Sequence, residues 1–253
     1  MLDAVREIAA EAGRIAAAGC AGEYRQWEKV PGHPVCDVDI AVDAFLRDAL
    51  GRLDPGAGWL SEETVDVSDR YERSRVWVVD PIDGTRDFLR GRPGWCVSIA
   101  LVEDRVPVIG VLDAPARGEH WWAARGEGAW RNGERLSVSG REALSGARVP
   151  ADALPKADAD LVPVAKPNSI ALRMAMVAAG EADLVATLRW GFEWDIAAAA
   201  LIAEEAGAAV TGALGQPLAF NTAHGSAFGV LVSTPAIHDS AVERLRERAL
   251  AVV

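Results

Sequence analysis

The sequence predicts a mixed α/β fold, and three observations carry that reading. Leu2, Val5, Ile8, Ala12, Ile15 and Ala16 recur at helical spacing, which predicts an amphipathic helix over residues 2–18. Short apolar runs of strand type, such as Val76-Trp-Val-Val79, end at turn residues. After about residue 140, strand-like and helix-like segments alternate irregularly, with no internal repeat and no low-complexity tract.

The elements follow in order. The stretch Lys29-Val-Pro-Gly-His-Pro34 holds two prolines and a glycine and reads as a loop. A second helix begins near Asp39, turns Ile40, Phe45, Leu46, Ala49, Leu50 and Leu53 inward, and stops before Asp54-Pro-Gly56. The strand at 76–79 ends at Asp80-Pro81, and 96–102 pairs with 106–112 around a turn at Glu103-Asp-Arg105. Asn132-Gly133 signals a hairpin. Residues 140–159 have little periodicity and read as the connection between two parts of the chain, 1–140 and 141–253. Strands at 161–165, 184–188 and 227–232 alternate with helices at 169–179, 195–206 and from Pro235, with Gly180 and Gly207 as helix stops. Trp121-Trp122 lies on a strand, so one ring is expected to face outward as a candidate dimer surface. Trp59 and Trp77 are expected in the core, and Trp190 and Trp194 along a pocket.

Composition bounds the function. A chain of 253 residues, half hydrophobic and a quarter charged, builds one large domain or two closely packed halves. No apolar run approaches the ~20 residues of a membrane span. The first helix carries Asp3, Glu7 and Glu11, unlike a secretory signal. Cys20, Cys36 and Cys96 are odd in number and widely spaced, so neither a disulfide framework nor a metal cluster is expected, and a reducing cytoplasm is. A net charge of −11 argues against a nucleic acid polymer as partner. It is compatible with a small phosphorylated metabolite, because a divalent cation reverses the local field of an acidic pocket.

The segment that carries chemistry is Asp80-Pro-Ile-Asp-Gly-Thr85. Two carboxylates stand three residues apart at the end of a buried strand, on a turn stiffened by Pro81. Gly84 admits backbone conformations closed to other residues, and a helix starting there turns free N–H groups toward the same spot. A cation site thus adjoins an anion site, as a bound phosphate requires. Two further acidic sites, Glu62-Glu63 and Asp195, supply carboxylates from other segments.

Asp80-Pro-Ile-Asp-Gly-Thr85, with Trp194-Asp-Ile-Ala-Ala and Glu205-Ala-Gly207 downstream, resembles the inositol monophosphatase family over nearly the whole chain. That family includes the 3′(2′),5′-bisphosphate nucleotidases and is related to the fructose-1,6-bisphosphatases. The resemblance implies a layered αβαβα sandwich of two subdomains, of the sugar-phosphatase type, with metals at the junction. Most metal ligands then belong to 1–140, and Asp195 with the substrate-selecting segments to 141–253. It implies two or three Mg2+ ions, with Mn2+ as an alternative and lithium as an inhibitor. Glu62, Asp80, the Ile82 carbonyl, Asp83 and Asp195 are the implied ligands, with Asp80 bridging and Asp83 and Asp195 on the second ion.

The implied reaction is hydrolysis of a phosphate monoester by in-line attack of water that the ions activate. Asp39 and Thr85 orient and deprotonate that water, Gly84 and Thr85 hold the phosphate through their amides, and Lys29 is the loop lysine. Three residues depart from the family pattern: Cys36 stands for a threonine, His33 for a serine and Asp87 for an asparagine. The implied substrates are an inositol monophosphate-like sugar or a bisphosphate nucleotide. Leu188 stands where inositol monophosphatases often carry an acid, and Arg189 is beside it. Arg173 and Arg189 suit a second anionic group, and Lys166 and Ser169 border the substrate segment. The competing reading is a catalytically inactive member that binds metal or phosphate. Family members are monomers or homodimers.

Overall fold

The computed structural model describes residues 1–66 and 68–253. In chain order the first part carries α1 (Leu2–Cys20), β1 (Gln26–Val30), β2 (His33–Cys36), α2 (Asp37–Leu53), β3 (Gly58–Ser61), β4 (Arg75–Asp83), α3 (Thr85–Phe88), β5 (Cys96–Glu103), β6 (Val106–Ala114), β7 (Glu119–Ala124), β8 (Gly128–Arg131) and β9 (Glu134–Arg135). The remainder carries β10 (Arg148–Pro150), β11 (Val162–Val164), α4 (Ile170–Ala178), β12 (Leu184–Phe192), α5 (Glu193–Glu205), β13 (Ala209–Thr211), β14 (Ser226–Ser233) and α6 (Pro235–Leu250).

Strands β3 to β9 form a seven-stranded sheet in sequence order. Its first pair, β3 and β4, is parallel, and the rest are antiparallel. Helices α1 and α2 close one face, where Val5, Ala9, Val42 and Leu46 pack on Trp77, Val97 and Val111. Helices α4 and α5 close the other, on Val76, Val78, Ala100 and Leu112. A second sheet, in the order β12-β14-β13, packs on α4 and α5 from beyond, and α6 covers its outer face through Ile237, Ala241 and Leu245. The layers therefore run α, β, α, β, α.

Helix α5 explains the layering. Its alanine-rich sequence is buried at nearly every position from Ile196 to Ala203. A helix apolar all round has to be enclosed, and two sheets enclose this one. The approach is close: a Cβ on Gly110 of β6 would fall 2.6 Å from the Ala198 carbonyl oxygen of α5.

Several sequence expectations change here. Neither Trp121 nor Trp122 faces solvent: Trp121 enters the core under α5, and Trp122 the core under α1 beneath the Arg6 guanidinium. Alternation does place the rings on opposite faces, but helices cover both faces, so the candidate dimer surface is absent. The expected loop at 29–34 is instead the tip of the β1–β2 hairpin. Strand β1 is exposed along its length, so it has no buried face for a hydrophobic pattern to mark. The connection at 140–159 contains β10, which pairs parallel with β11. Strand β4 continues past Asp80-Pro81 to Asp83, and its register with β5 shifts between Asp80 and Asp83, where Pro81 has no N–H to donate. The Asn132-Gly133 hairpin forms as expected, with φ of 51° and 86° at its two turn residues.

Candidate active site

The site lies at one end of the seven-stranded sheet. Asp80 and Asp83 stand at the end of β4, and Asp80 Oδ1 accepts the Ile82 N–H at 2.9 Å. Gly84 follows with φ of 97°, a conformation that favours glycine. A Cβ there would fall 2.6 Å from the Gly94 carbonyl oxygen and 2.9 Å from the Ser169 amide nitrogen. The Thr85 hydroxyl, opening α3, donates to the Ile82 carbonyl at 3.1 Å.

Glu62 reaches the same place because β3 runs parallel beside β4, Ser61 opposite Val79, and ends one residue before it. Asp195 arrives from across the molecule in the first turn of α5, its Oδ2 accepting the Phe192 N–H at 3.3 Å. One carboxylate oxygen from each of Glu62, Asp80 and Asp195 lies within 4.8 Å of the other two.

This arrangement is electrostatically costly without a cation. Burial pushes the Asp80 carboxyl well above its ordinary range, and the charges of Glu62, Asp83, Asp195 and Asp39 push the same way. Asp195 is raised well above its ordinary value by burial, then by Asp83 and Glu62, against the Phe192 N–H and Arg189. Three hard oxygen donors that repel one another in a buried recess fit a small divalent cation such as Mg2+.

Asp83 lines the same cleft but is not one of the three. Its Oδ2 accepts the Ser169 hydroxyl at 2.5 Å and the Ala171 N–H at 2.8 Å, while Oδ1 accepts the Ile170 N–H at 3.4 Å. The N-terminus of α4 therefore holds this carboxylate. Burial nevertheless pushes its pKa up to about 6.

Asp39 is buried in the first turn of α2, where its Oδ2 accepts both the Cys36 N–H and the Cys36 thiol at 2.8 Å. Burial pushes Asp39 up to about 6, and the Glu62 charge adds to it. Asp43, one turn on, points elsewhere. It accepts the hydroxyls of Ser61 and Thr64 and so fixes the turn that carries Glu62. Lys29, from the β1–β2 hairpin, donates to Glu62 Oε1 at 3.0 Å and to Glu63 Oε1 at 2.5 Å. Burial raises Glu63 to about 7 despite that bond.

Among the substrate candidates, Arg173 and Arg189 line the cleft with Ile82, Gly84, Thr85, Asn168 and Trp194. Arg173 donates to the carbonyls of Pro167 at 2.8 Å and Asn168 at 2.5 Å. Burial and the neighbouring Arg189 lower its pKa, with Asp83 opposing. Lys166 faces an adjoining cavity of about 490 Å³ instead and pairs with Asp152. Ser169 is wholly buried, its hydroxyl spent on Asp83 and the Leu172 N–H, so its contact is structural rather than with substrate. Trp190 is 61% exposed and meets Phe228 edge-on, whereas Trp194 stacks on Phe192 at 4.4 Å beside Asp195.

The family model described as the Inositol monophosphatase family matches residues 1–250. The chain belongs to the inositol monophosphatase family. It is 39% identical over 194 residues to a histidinol-phosphatase of Mycobacterium tuberculosis, covering 70% of this chain and 74% of that protein. It is 32% identical to a fructose-1,6-bisphosphatase/inositol-1-monophosphatase of Thermotoga maritima, covering 84% of this chain and 82% of that one. A solved IMPase structure of Thermotoga maritima superposes with a TM-score of 0.84 at 28% identity, over 99% of this chain and 98% of the other. The suhB protein of Bartonella henselae gives the same TM-score at 27% identity, over 97% of this chain and 98% of that one.

As an inositol monophosphatase family member the protein is a phosphatase of the hydrolase class that acts on small phosphorylated substrates. No helix among its described residues is long and apolar enough to cross a membrane. Near this cleft lie two buried groups outside the ligand set that the family resemblance implies. Glu193, two residues before Asp195, accepts the N–H groups of Asn221 and Thr222, and Arg70 donates to the same turn. A sequence signal existed only for Glu193, as an acid inside the Trp194-Asp motif region. Nothing local distinguishes Arg70 or Asn221.

Proposed function

We propose that this phosphatase is a magnesium-dependent phosphomonoesterase that hydrolyses a small phosphorylated metabolite by direct attack of water. The observation that carries the reading is the convergence of Glu62, Asp80 and Asp195 within 4.8 Å, from three separate segments. Glu62, Asp80 and Asp195 would hold Mg2+, with the Ile82 carbonyl and Asp83 as further ligands; Mn2+ is the alternative ion. When bound, the ions acidify water and offset charge on the phosphate oxygens. Asp39 takes the proton of the attacking water, since a carboxylate raised to about 6 is a stronger base than an exposed one. The Thr85 hydroxyl, already donating to the Ile82 carbonyl, has lone pairs left with which to orient that water. The amides of Gly84 and Thr85 bind phosphate oxygens.

Two substrate classes make opposite demands on the far end of the cleft. Arg173 and Arg189 lie close enough for one to depress the other's pKa, which supports a second anionic group, as in a bisphosphate nucleotide. The 39% identity to a histidinol-phosphatase supports an amino-alcohol phosphate, whose cationic end the same arginines would repel. Phosphate release from adenosine 3′,5′-bisphosphate, histidinol phosphate and inositol 1-phosphate, each with Mg2+ and with EDTA, separates them. Preference for the bisphosphate that disappears in Arg189→Ala supports the arginine reading; preference for histidinol phosphate overturns it. Cation binding without turnover of any phosphate ester would leave the inactive-member reading in its place.

A further inference from the structure

We propose that Glu193 and Arg70, through the turn they share at Asn221-Thr222, are positioning residues that set the separation of Glu62 from Asp195 and hence the cation affinity. The inference rests on the metal-binding reading above.

Glu193 is 0% exposed although it carries a carboxylate. It accepts the Asn221 N–H at 2.5 Å, the Thr222 N–H at 2.9 Å and the Thr222 hydroxyl. Its own N–H donates to the Gly225 carbonyl at 2.9 Å, so both its backbone and its side chain hold the 221–225 turn. Glu193 opens α5, two residues ahead of Asp195, and any displacement of the turn moves the first turn of that helix.

Arg70 grips the other side of the turn and is also 0% exposed. It donates to Asn221 Oδ1 at 2.5 Å and to the Thr222 carbonyl at 2.9 Å, while Asn221 Nδ2 donates back to the Arg70 carbonyl at 3.3 Å. Its remaining donors make a two-pronged contact with Asp66 at 2.7 Å each. Asp66 lies four residues beyond Glu62 on the same segment. At the other end of that segment, a Cβ on Gly58, the first residue of β3, would fall 2.9 Å from Arg70 Cβ. Arg70 thus touches the chain on both sides of Glu62. Asn221 itself has φ of 54°, a left-handed conformation that asparagine tolerates better than most residues.

The consequence is a path from Glu62 to Asp195 that avoids the cleft. Glu62 is carried by the segment from Gly58 to Asp66, Asp66 and Gly58 by Arg70, Arg70 by Asn221 and Thr222, and these by Glu193. Neither Glu193 nor Arg70 is one of the three clustered carboxylates, and neither lines the cleft. Glu62 and Asp195 repel each other, so in the metal-free protein something else has to hold them together. Two buried charges that grip the same turn serve that purpose: Glu193 ties the turn to the start of α5 and Arg70 ties it to Asp66, so moving either one breaks hydrogen bonds on the path.

The test uses the full chain stripped of metal, with Mn2+ binding followed by electron paramagnetic resonance and the melting temperature by calorimetry. Glu193→Gln and Thr222→Val are the removals, and Thr222→Ser, which keeps the hydroxyl donor, is the rescue. Outer groups that orient ligands usually change affinity roughly 10–100-fold when removed. We expect Glu193→Gln to weaken Mn2+ binding about tenfold, Thr222→Val less, and Thr222→Ser hardly at all. The half-saturating Mg2+ for phosphate release should shift in parallel, with KM for substrate at saturating Mg2+ little changed. Should Glu193→Gln fail to fold, Thr222→Val, which loses one hydroxyl at a half-buried position, decides the matter. Lower melting temperatures with unchanged Mn2+ affinity would make the network merely structural and overturn the proposal. Failure of the wild-type chain to bind Mn2+ would instead overturn the metal-binding reading beneath it.

Discussion

The Cys36 thiol donates to Asp39 Oδ2 at 2.8 Å, on the same oxygen that the Cys36 amide reaches at 2.8 Å. Burial, with Asp39 alongside, pushes that thiol up to about 12, so it stays protonated and remains a donor throughout the working range. A cysteine at this position therefore supplies the donor that a threonine hydroxyl would.

Loss of this donor is expected to show in the pH profile. Fewer donors favour the neutral carboxyl, so Cys36→Ala should move the acid limb of kcat/KM upward by about one pH unit, the equivalent of one hydrogen bond to a charged group. Cys36→Thr should move it far less. Coincident limbs for wild type and Cys36→Ala would remove Asp39 from the role of base.

Asp80→Asn is expected to reduce turnover by at least ~1,000-fold, since it weakens the cation site on which activated water and phosphate both depend. The metal-free variant should melt no lower than wild type, because the substitution removes a buried charge that Glu62, Asp83 and Asp195 all oppose. Wild-type activity in this variant, measured as phosphate release, would refute the assignment of the site.

The metal-free protein should lose stability as pH rises. Burial raises Asp39 and Asp83 from 3.8 to about 6 and Glu63 from 4.5 to about 7. The folded state thus binds more protons than the unfolded state between those limits. The stabilisation from protonation is full below about pH 4 and is lost as pH climbs through 6 and 7. Asp183 sets the opposite limb. Burial pushes it up, yet hydrogen bonds from Arg148 and Ser139 prevail and hold it down to about 2, a contribution lost in acid. Melting curves in EDTA should peak between about pH 3 and 4, where the two limbs meet, and fall by several degrees toward pH 8, at roughly 2–4 °C per kcal/mol. Mg2+ should restore the alkaline side. A melting temperature that climbs steadily to pH 8 in EDTA would contradict this.

Lys29 donates to Glu62 Oε1 at 3.0 Å, on a carboxylate of the proposed cation site. Lys29→Met removes a competing positive charge and should lower the half-saturating Mg2+ concentration several-fold. Calorimetric titration of Mg2+ into both proteins reads this directly, and weaker binding in the variant would show that Lys29 assists the site rather than competes for it.

The family resemblance adds that lithium should inhibit by taking a cation position. Unchanged turnover in roughly tens of millimolar lithium would count against the usual metal arrangement, though not against phosphatase activity.

Much of the site was legible because its signals are local. Asp80 and Asp83 lie within one six-residue turn whose Pro81 and Gly84 restrict the backbone by themselves. The Asn132-Gly133 hairpin and the ends of α2, α4 and α5 were likewise written in caps, stops and spacing within a few residues. Glu62 and Asp195 were identifiable one motif at a time, but their meeting with Asp80 depends on β3 lying parallel beside β4 and on α5 threading between two sheets.

What the sequence determined by itself, then, was the set of acidic groups, the stiff turn between two of them and the alternation of helix and strand, since each rests on chemistry within a few residues. Tertiary structure alone decided that Asp83 is held by the N-terminus of α4, that both Trp121 and Trp122 are buried, and that Arg70 and Glu193 meet across the turn at Asn221-Thr222. Those outcomes depend on which faces of the sheets are covered and on contacts between residues more than eighty positions apart, as between Asp83 and Ala171. A side chain's local pattern states its chemistry, but only packing states its neighbours.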